Sequence, residues 1–221
     1  IFFSDNRFTI KTLGHTYARM ILGDVIPENV ERIISLDSDT IVLNKIDELW
    51  STEMGDHPIA GVDDCMGKVA LVKTQHLKEN SIHCNAGMYL IDLSVWRKEN
   101  WTKQFYRYIK GLFDKGIALG GYEEEVITKV VGERMMVLPP KFNLMTLEQV
   151  FTYEELLRFR EPLNYYTKEQ IEEARREPVI THTTNFFYVR KRVYEEGSDH
   201  PMRVQYEKYR AMTPWKNDPP M

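Results

Sequence analysis

Cysteine is nearly absent from this chain: two residues, Cys65 and Cys84, in 221. Two thiols make no disulfide framework, and their separation matches no metal-site spacing, so both are expected to be buried and reduced in a cytosolic protein. Long apolar runs are lacking as well. No stretch approaches the length that spans a bilayer, and no charged-then-apolar leader opens the sequence. Charge of one sign is equally scarce, since 29 Lys and Arg stand against 33 Asp and Glu for a formal net charge of −4. That balance argues against nucleic acid as the main partner, because phosphate backbones need a basic face. An anionic ligand would require a local basic patch or a metal. Internal repeats, low-complexity tracts and flexible linkers are missing too. So is an initiator Met: the chain starts at Ile1 in what reads as mid-domain, and an amino-terminal piece is expected to be absent.

What is present suits a globule. With 43% hydrophobic and 12% aromatic residues, the chain can build one α/β domain over 1–221, with a helical carboxy-terminal part from about 146. Apolar runs at Arg32–Leu36, Ile59–Val62, Met88–Leu93, Met135–Leu138 and Val179–Thr181 read as strands. Helical spacing appears over Lys11–Leu22, Trp101–Phe113 and Tyr122–Val131, and Thr167 with Gln170 forms a capping box for a helix through Arg176. The alternation predicts a mixed, mostly parallel sheet with helices on its faces, and ligands collect where such strands end.

The most informative feature is Asp37-Ser38-Asp39 at the end of Arg32–Leu36. A β-branched run stopping at two acids reads as a buried central strand that delivers carboxylates into a cleft. Alternation along an extended segment would point Asp37 and Asp39 to one side, where two hard oxygens can share a divalent cation. The bland alternative is a solvated turn. His182, just after Pro178-Val179-Ile180, would add a nitrogen ligand and tilt the set toward Mn²⁺ over Ca²⁺; the alternative for it is a hydrogen-bonded core histidine. Asn85-Ala86-Gly87 reads as a turn whose glycine admits close backbone approach to a ligand. Arg190-Lys191-Arg192 is either a solvated face or a set of phosphate partners. Glu123-Glu124-Glu125 opens a helix, where carboxylates complement the dipole.

Taken in order, Thr16-Tyr17-Ala18-Arg19-Met20, Asp37-Ser38-Asp39, Ile46-Asp47-Glu48-Leu49-Trp50, Asn85-Ala86-Gly87-Met88 with Asp92-Leu93, the acidic triplet, Phe142-Asn143 and His182 resemble the family 8 glycosyltransferases. The resemblance covers nearly the whole chain and is greatest to bacterial lipopolysaccharide galactosyl- and glucosyltransferases. It implies a Rossmann-like, GT-A-type α/β fold and a retaining enzyme that moves a hexose or pentose from a UDP-sugar to a glycan or glycolipid. It further implies Mn²⁺ or Mg²⁺ held by Asp37, Asp39 and His182, Ser38 against the ribose, and Arg19 near the donor. Asp64, with Asp63 as the alternative, matches an acid of the sugar pocket, and Asn85, Ala86 and Gly87 match a loop over the transferred sugar. Glu123 and Glu124 stand where the family has Asp-Gln, so the resemblance makes Glu123 a partner of donor hydroxyls and puts Glu124 close to the anomeric carbon. Arg190 or Lys191 would meet the diphosphate.

Two departures are visible. The family's Gly and Lys-Pro-Trp after the histidine are replaced by Thr183-Thr184-Asn185 and the following residues, and the opening nucleotide-binding strand is not in the sequence. Two rival functions fit parts of the pattern. One is a haloacid-dehalogenase-type phosphatase with Asp37 as nucleophile and Asp39 as acid/base. The other is a degenerate module that binds sugar nucleotide without turnover. Tyr206, Tyr209 and Trp215 give the carboxy-terminal part an aromatic face, read as packing or as an acceptor platform. Peripheral contact with the inner face of a membrane would suit lipid-linked acceptors.

Overall fold

The computed structural model describes residues 16–65, 81–117, 123–160, 165–184 and 191–219. A four-stranded sheet in the order β1-β4-β3-β5 forms its centre, from β1 (Arg32–Leu36), β3 (Ile59–Asp63), β4 (Cys84–Asp92) and β5 (Met135–Val137). β3 and β5 pair in parallel, whereas β4 runs antiparallel to both β1 and β3. Three strands thus share a direction and one opposes them, the mixed arrangement expected from the alternation.

β4 shows why this sheet holds two cores. Its side chains alternate: Tyr89 and Ile91 pack on one face with Trp96, Phe105 and Val126, while Met88 and Leu90 pack on the other with Leu49, Phe142 and Ile180. A strand covered on both faces is apolar along most of its length, and every residue from Cys84 to Ile91 is buried. The helix Trp101–Asp114 closes the first face, burying Trp101, Phe105 and Ile109 at helical spacing. The helix Lys168–Arg176 begins at the Thr167–Gln170 capping box and contributes Ile171 and Ala174. Cys65 and Cys84 are free and buried, as their scarcity led us to expect.

A smaller sheet, β2-β7-β6, lies beside the first, made of β2 (Thr40–Val42), β7 (Ile180–His182) and β6 (Leu144–Met145). The carboxy-terminal helices are Tyr153–Arg160, Lys168–Arg176 and Arg203–Arg210. Among the described residues no helix is long and apolar enough to cross a membrane.

Three local expectations change. β1 is not a buried central strand: among the described residues it pairs with β4 alone, its residues are half-buried, and Leu36 is exposed. Asn85-Ala86-Gly87 is not a turn but part of β4. The ladders on either side hold it extended, because the Asp37 N–H donates to the Gly87 carbonyl at 3.0 Å and the Asp64 N–H to that of His83 at 2.9 Å. Of the amino-terminal helical run, residues 11–15 lie outside the described set, Thr16–Ile21 is a 3₁₀ helix, and Leu22–Val25 is a single α turn.

Candidate active site

Asp37 and Asp39 do meet, though not by strand alternation. The chain turns between β1 and β2, and the Thr40 N–H and hydroxyl both donate to the Asp37 carbonyl, at 3.2 and 2.8 Å. His182 arrives at the end of β7, which pairs antiparallel with β2 so that Thr40 sits opposite His182. Its Nε2 lies 3.1 Å from Asp39 Oδ1 and 3.9 Å from Asp37 Oδ2. With no cation present and both ring nitrogens protonated, a hydrogen bond from His182 Nε2 holds the Asp39 carboxyl below its ordinary value, against the opposing effect of partial burial.

Asn85 decides which imidazole nitrogen is available. Its Oδ1 accepts from the Gly87 N–H at 2.9 Å and from Asn143 Nδ2 at 3.0 Å, while its Nδ2 donates to Asp64 Oδ2 at 3.0 Å and Glu124 Oε1 at 3.1 Å. The amide can therefore take only one orientation, and His182 Nδ1, 2.9 Å from Asn85 Oδ1, must be the donor of that pair. In the neutral ring the lone pair is then on Nε2, aimed at the two aspartates. Three potential ligand atoms lie within 4.8 Å of one another, close enough to share one cation. The residues fit a divalent metal in two respects: a mixed N/O donor set, and an outer hydrogen bond that fixes the histidine.

Gly87 makes this approach possible. A Cβ at this position would stand 2.1 Å from His182 Nδ1 and 2.8 Å from Asn85 Oδ1. The close neighbour that the glycine admits is the imidazole, not a ligand as the sequence suggested.

Arg19 organises the other flank. Its guanidinium pairs with Asp37 and, at 3.0 Å, with Glu123, and its Nε donates to Ser35 Oγ at 3.2 Å. Glu123, expected to meet donor hydroxyls, is thus buried against Arg19 and ties the helix Glu123–Val131 to the aspartate turn. Glu124 Oε1 accepts from the Ala86 N–H at 2.7 Å as well as from Asn85. Burial, with Asp64 close by, pushes its carboxyl up to about 8. Asp64, His83 and Glu124 form a second group of potential ligand atoms within 4.8 Å. Asp63 is turned elsewhere, into a 2.8 Å ion pair with the fully buried Arg160.

The diphosphate candidates are placed only in part. Arg190 lies outside the described residues, and Lys191 Nζ donates to the Glu196 carbonyl at 2.6 Å. Arg192, which the sequence offered only as part of a basic run, lines a cleft of about 660 Å³ together with Arg19, Asp37, Ser38 and Asp39. Asn143, His83 and Thr183 were given no role from sequence, although Asn143 belongs to the Phe142-Asn143 pair of the resemblance. The Thr183 N–H and hydroxyl clamp the Asp39 carbonyl at 2.9 and 2.7 Å.

A mixed sheet flanked by helices, with an acidic turn at the end of β1, matches the GT-A architecture of solved glycosyltransferase structures. The chain matches the crystal structure of galactosyltransferase LgtC, in complex with donor and acceptor sugar analogs, at a TM-score of 0.68 and 16% identity. That match covers 92% of this chain and 70% of the other. GlyE of Streptococcus pneumoniae matches at a TM-score of 0.61 and 17% identity, over 90% of this chain and 44% of GlyE. Identities this low establish the fold. The sequence goes further: residues 4–184 match glycosyl transferase family 8, and the chain belongs to that family. General stress protein A of Bacillus subtilis is 26% identical over 200 residues, 90% of this chain and 65% of that protein. The chain therefore spans just under two thirds of that relative's length.

Proposed function

We propose that this chain transfers a hexose or pentose from a UDP-sugar to a hydroxyl of a glycan or glycolipid, with retention at the anomeric carbon. Asp37, Asp39 and His182 would hold Mn²⁺ or Mg²⁺, which when bound offsets the charge that builds on a departing nucleoside diphosphate. The observation that carries this reading is the His182 tautomer, which Asn85 fixes so that Nε2 presents its lone pair beside two carboxylates.

The chain's own groups then have distinct tasks. Arg19 fixes Asp37, and Asn85 orients His182. Arg192, which lines the cleft, would supply positive charge to the diphosphate beside Arg190 or Lys191. Asp64, Asn85 and Glu124, linked through one amide, offer acceptors for sugar hydroxyls. An ionised Glu124 would set negative charge against an oxocarbenium-like transition state. Ala86 contributes its backbone N–H to Glu124, and Gly87 contributes the space for His182.

A panel of nucleotide-sugars incubated with Mn²⁺, read as released nucleoside diphosphate, tests the proposal. Turnover is expected with a UDP-sugar, with loss on adding EDTA and in Asp39→Asn. Cleavage of a generic phosphate ester without any such release would instead support the phosphatase, a reading that family membership already disfavours. Donor binding without hydrolysis or transfer to any acceptor would leave only the binding module.

A further inference from the structure

Residues 191–219 follow the 4–184 segment that matches the family, and they fold back over both strands of the candidate metal centre. Val193 and Met202 pack with Ile41 of β2, the strand that Asp39 leads into. From the same segment His200, 3% exposed, reaches the fully buried Thr146, whose hydroxyl meets the end of β7.

The direction of every bond in this series is forced. The Met202 N–H donates to His200 Nδ1 at 3.0 Å, so Nδ1 is an acceptor and the neutral ring carries its proton on Nε2. Burial pushes this imidazole below its ordinary value, with Asp199 opposing, which favours the neutral ring. Nε2 lies 3.0 Å from Thr146 Oγ1 and therefore donates to it. The single proton of the hydroxyl is left for the His182 carbonyl, at 3.3 Å.

The peptide that receives this bond is the one that sets His182. On its carbonyl side the His182–Thr183 peptide accepts from Thr146, and on its amide side the Thr183 N–H donates to the Asp39 carbonyl at 2.9 Å. The Asp39 bond alone would leave the plane free to tilt about one contact. Held at both edges, it cannot turn without stranding a buried polar group.

We infer that His200 and Thr146 are positioning residues for His182, a relay from the carboxy-terminal segment into β7 that keeps the imidazole within reach of Asp37 and Asp39. This rests on the metal site proposed above and extends its outer support to residues beyond the family match. Outer partners of a metal-binding histidine are worth about 10–100-fold in affinity, and a relay that acts through the backbone belongs at the lower end, about tenfold.

Calorimetric titration of the whole chain with Mn²⁺, beside its Tm, tests the relay. Thr146→Val removes the hydroxyl with little change of shape, and His200→Asn keeps an acceptor for the Met202 N–H while giving up the reach to Thr146. Both should weaken Mn²⁺ about tenfold. Thr146→Ser keeps the hydroxyl and His200→Gln keeps a donor at the Nε2 position, so both should bind near the wild-type value. Loss of packing alone would lower Tm without sorting the affinities by which bond survives. Because the two residues act in series, Thr146→Val combined with His200→Asn should bind no more weakly than either alone. Unchanged affinity in Thr146→Val and His200→Asn, equal weakening in the conservative pair, or additive weakening in the double variant would overturn the inference and leave the metal site standing. A wild type that binds no Mn²⁺ would sink the metal site and the relay together. Should His200→Asn not fold, Thr146→Val, in which His200 keeps its Met202 bond, carries the same comparison against Thr146→Ser.

Discussion

Gly87→Ala is the sharpest perturbation of the proposed metal centre, because it adds one methyl group and removes no ligand. The new Cβ would lie 2.1 Å from His182 Nδ1 and 2.5 Å from its Cε1, where ordinary contact begins at 3.4 Å. The imidazole would have to retreat by about 1.3 Å, and displacements of that size at a reacting centre cost about a hundredfold. Retreat is hindered as well. His182 is buried at the end of β7, and the second obstructed group, Asn85, is locked by four other hydrogen bonds. Overpacking of this kind destabilises by about 1–3 kcal/mol, which is a few degrees of Tm in a chain of this size.

The stability loss alone would say nothing about function, so the comparison is with Gly61→Ala. There the added Cβ meets Cys84 Cβ and Tyr89 Cδ1, each at 2.9 Å, inside the sheet and away from the aspartates. Both variants should melt earlier than wild type. The upward Tm shift produced by added Mn²⁺, which follows RT ln(1 + [L]/Kd), should survive in Gly61→Ala and collapse in Gly87→Ala. A Gly87→Ala protein that still gains the wild-type shift would refute the claim that His182, at its observed position, helps hold the cation.

Two further outcomes follow from buried carboxyls. Glu124 ionises as pH rises through about 8, so if its charge assists transfer, kcat should climb over that range and Glu124→Gln should lose about 10²–10³-fold along with the climb; near-normal turnover by the variant excludes a charged role. Glu148, fully buried with Tyr165 OH and the Met145 N–H donating to it, is also pushed up to about 8 by burial. A folded-state value above the unfolded one stabilises fully below about 4.5 and is lost as pH rises through about 8. Urea midpoints should therefore fall between about pH 4.5 and about 8, and Glu148→Gln should flatten that fall by its own share, with Glu124 contributing the rest.

Much of this was legible in the residues. β-branched and apolar runs announced β3, the second half of β4 and β7, and the helical spacing over Trp101–Phe113 announced its helix, because burial on a sheet face leaves a periodic imprint. The capping box at Thr167 fixed a helix start to the residue. Asn85-Ala86-Gly87 misled for a physical reason: Asn and Gly favour turns locally, and the ladders to Asp37 and Asp64 that extend them are made by residues distant in sequence. Arg19 could be placed near the donor only through the family resemblance, and nothing local indicated that Glu123 would be its partner. Lys191 and Arg192 are adjacent in a basic run, and nothing local indicated that Arg192 lines the cleft while Lys191 Nζ bonds the Glu196 carbonyl.

The site's position at a seam explains why so few residues settle it. Asp37 closes β1 of the large sheet and Asp39 opens β2 of the small one, so the turn from 37 to 40 is a covalent link between the two sheets. His182 reaches that turn through three rungs of ladder, too few to fix a register unaided. Bonds beyond both ends do the fixing: Thr183 clamps the Asp39 carbonyl, and the Leu43 N–H donates to Val179 at 2.8 Å. A slip of one residue would turn His182 to the opposite face and leave Thr181 or Thr183 beside the aspartates, neither with a nitrogen to offer. A cation held by all three groups would join the two sheets directly, so in this fold metal affinity and the packing of the small sheet are two readings of the same free energy.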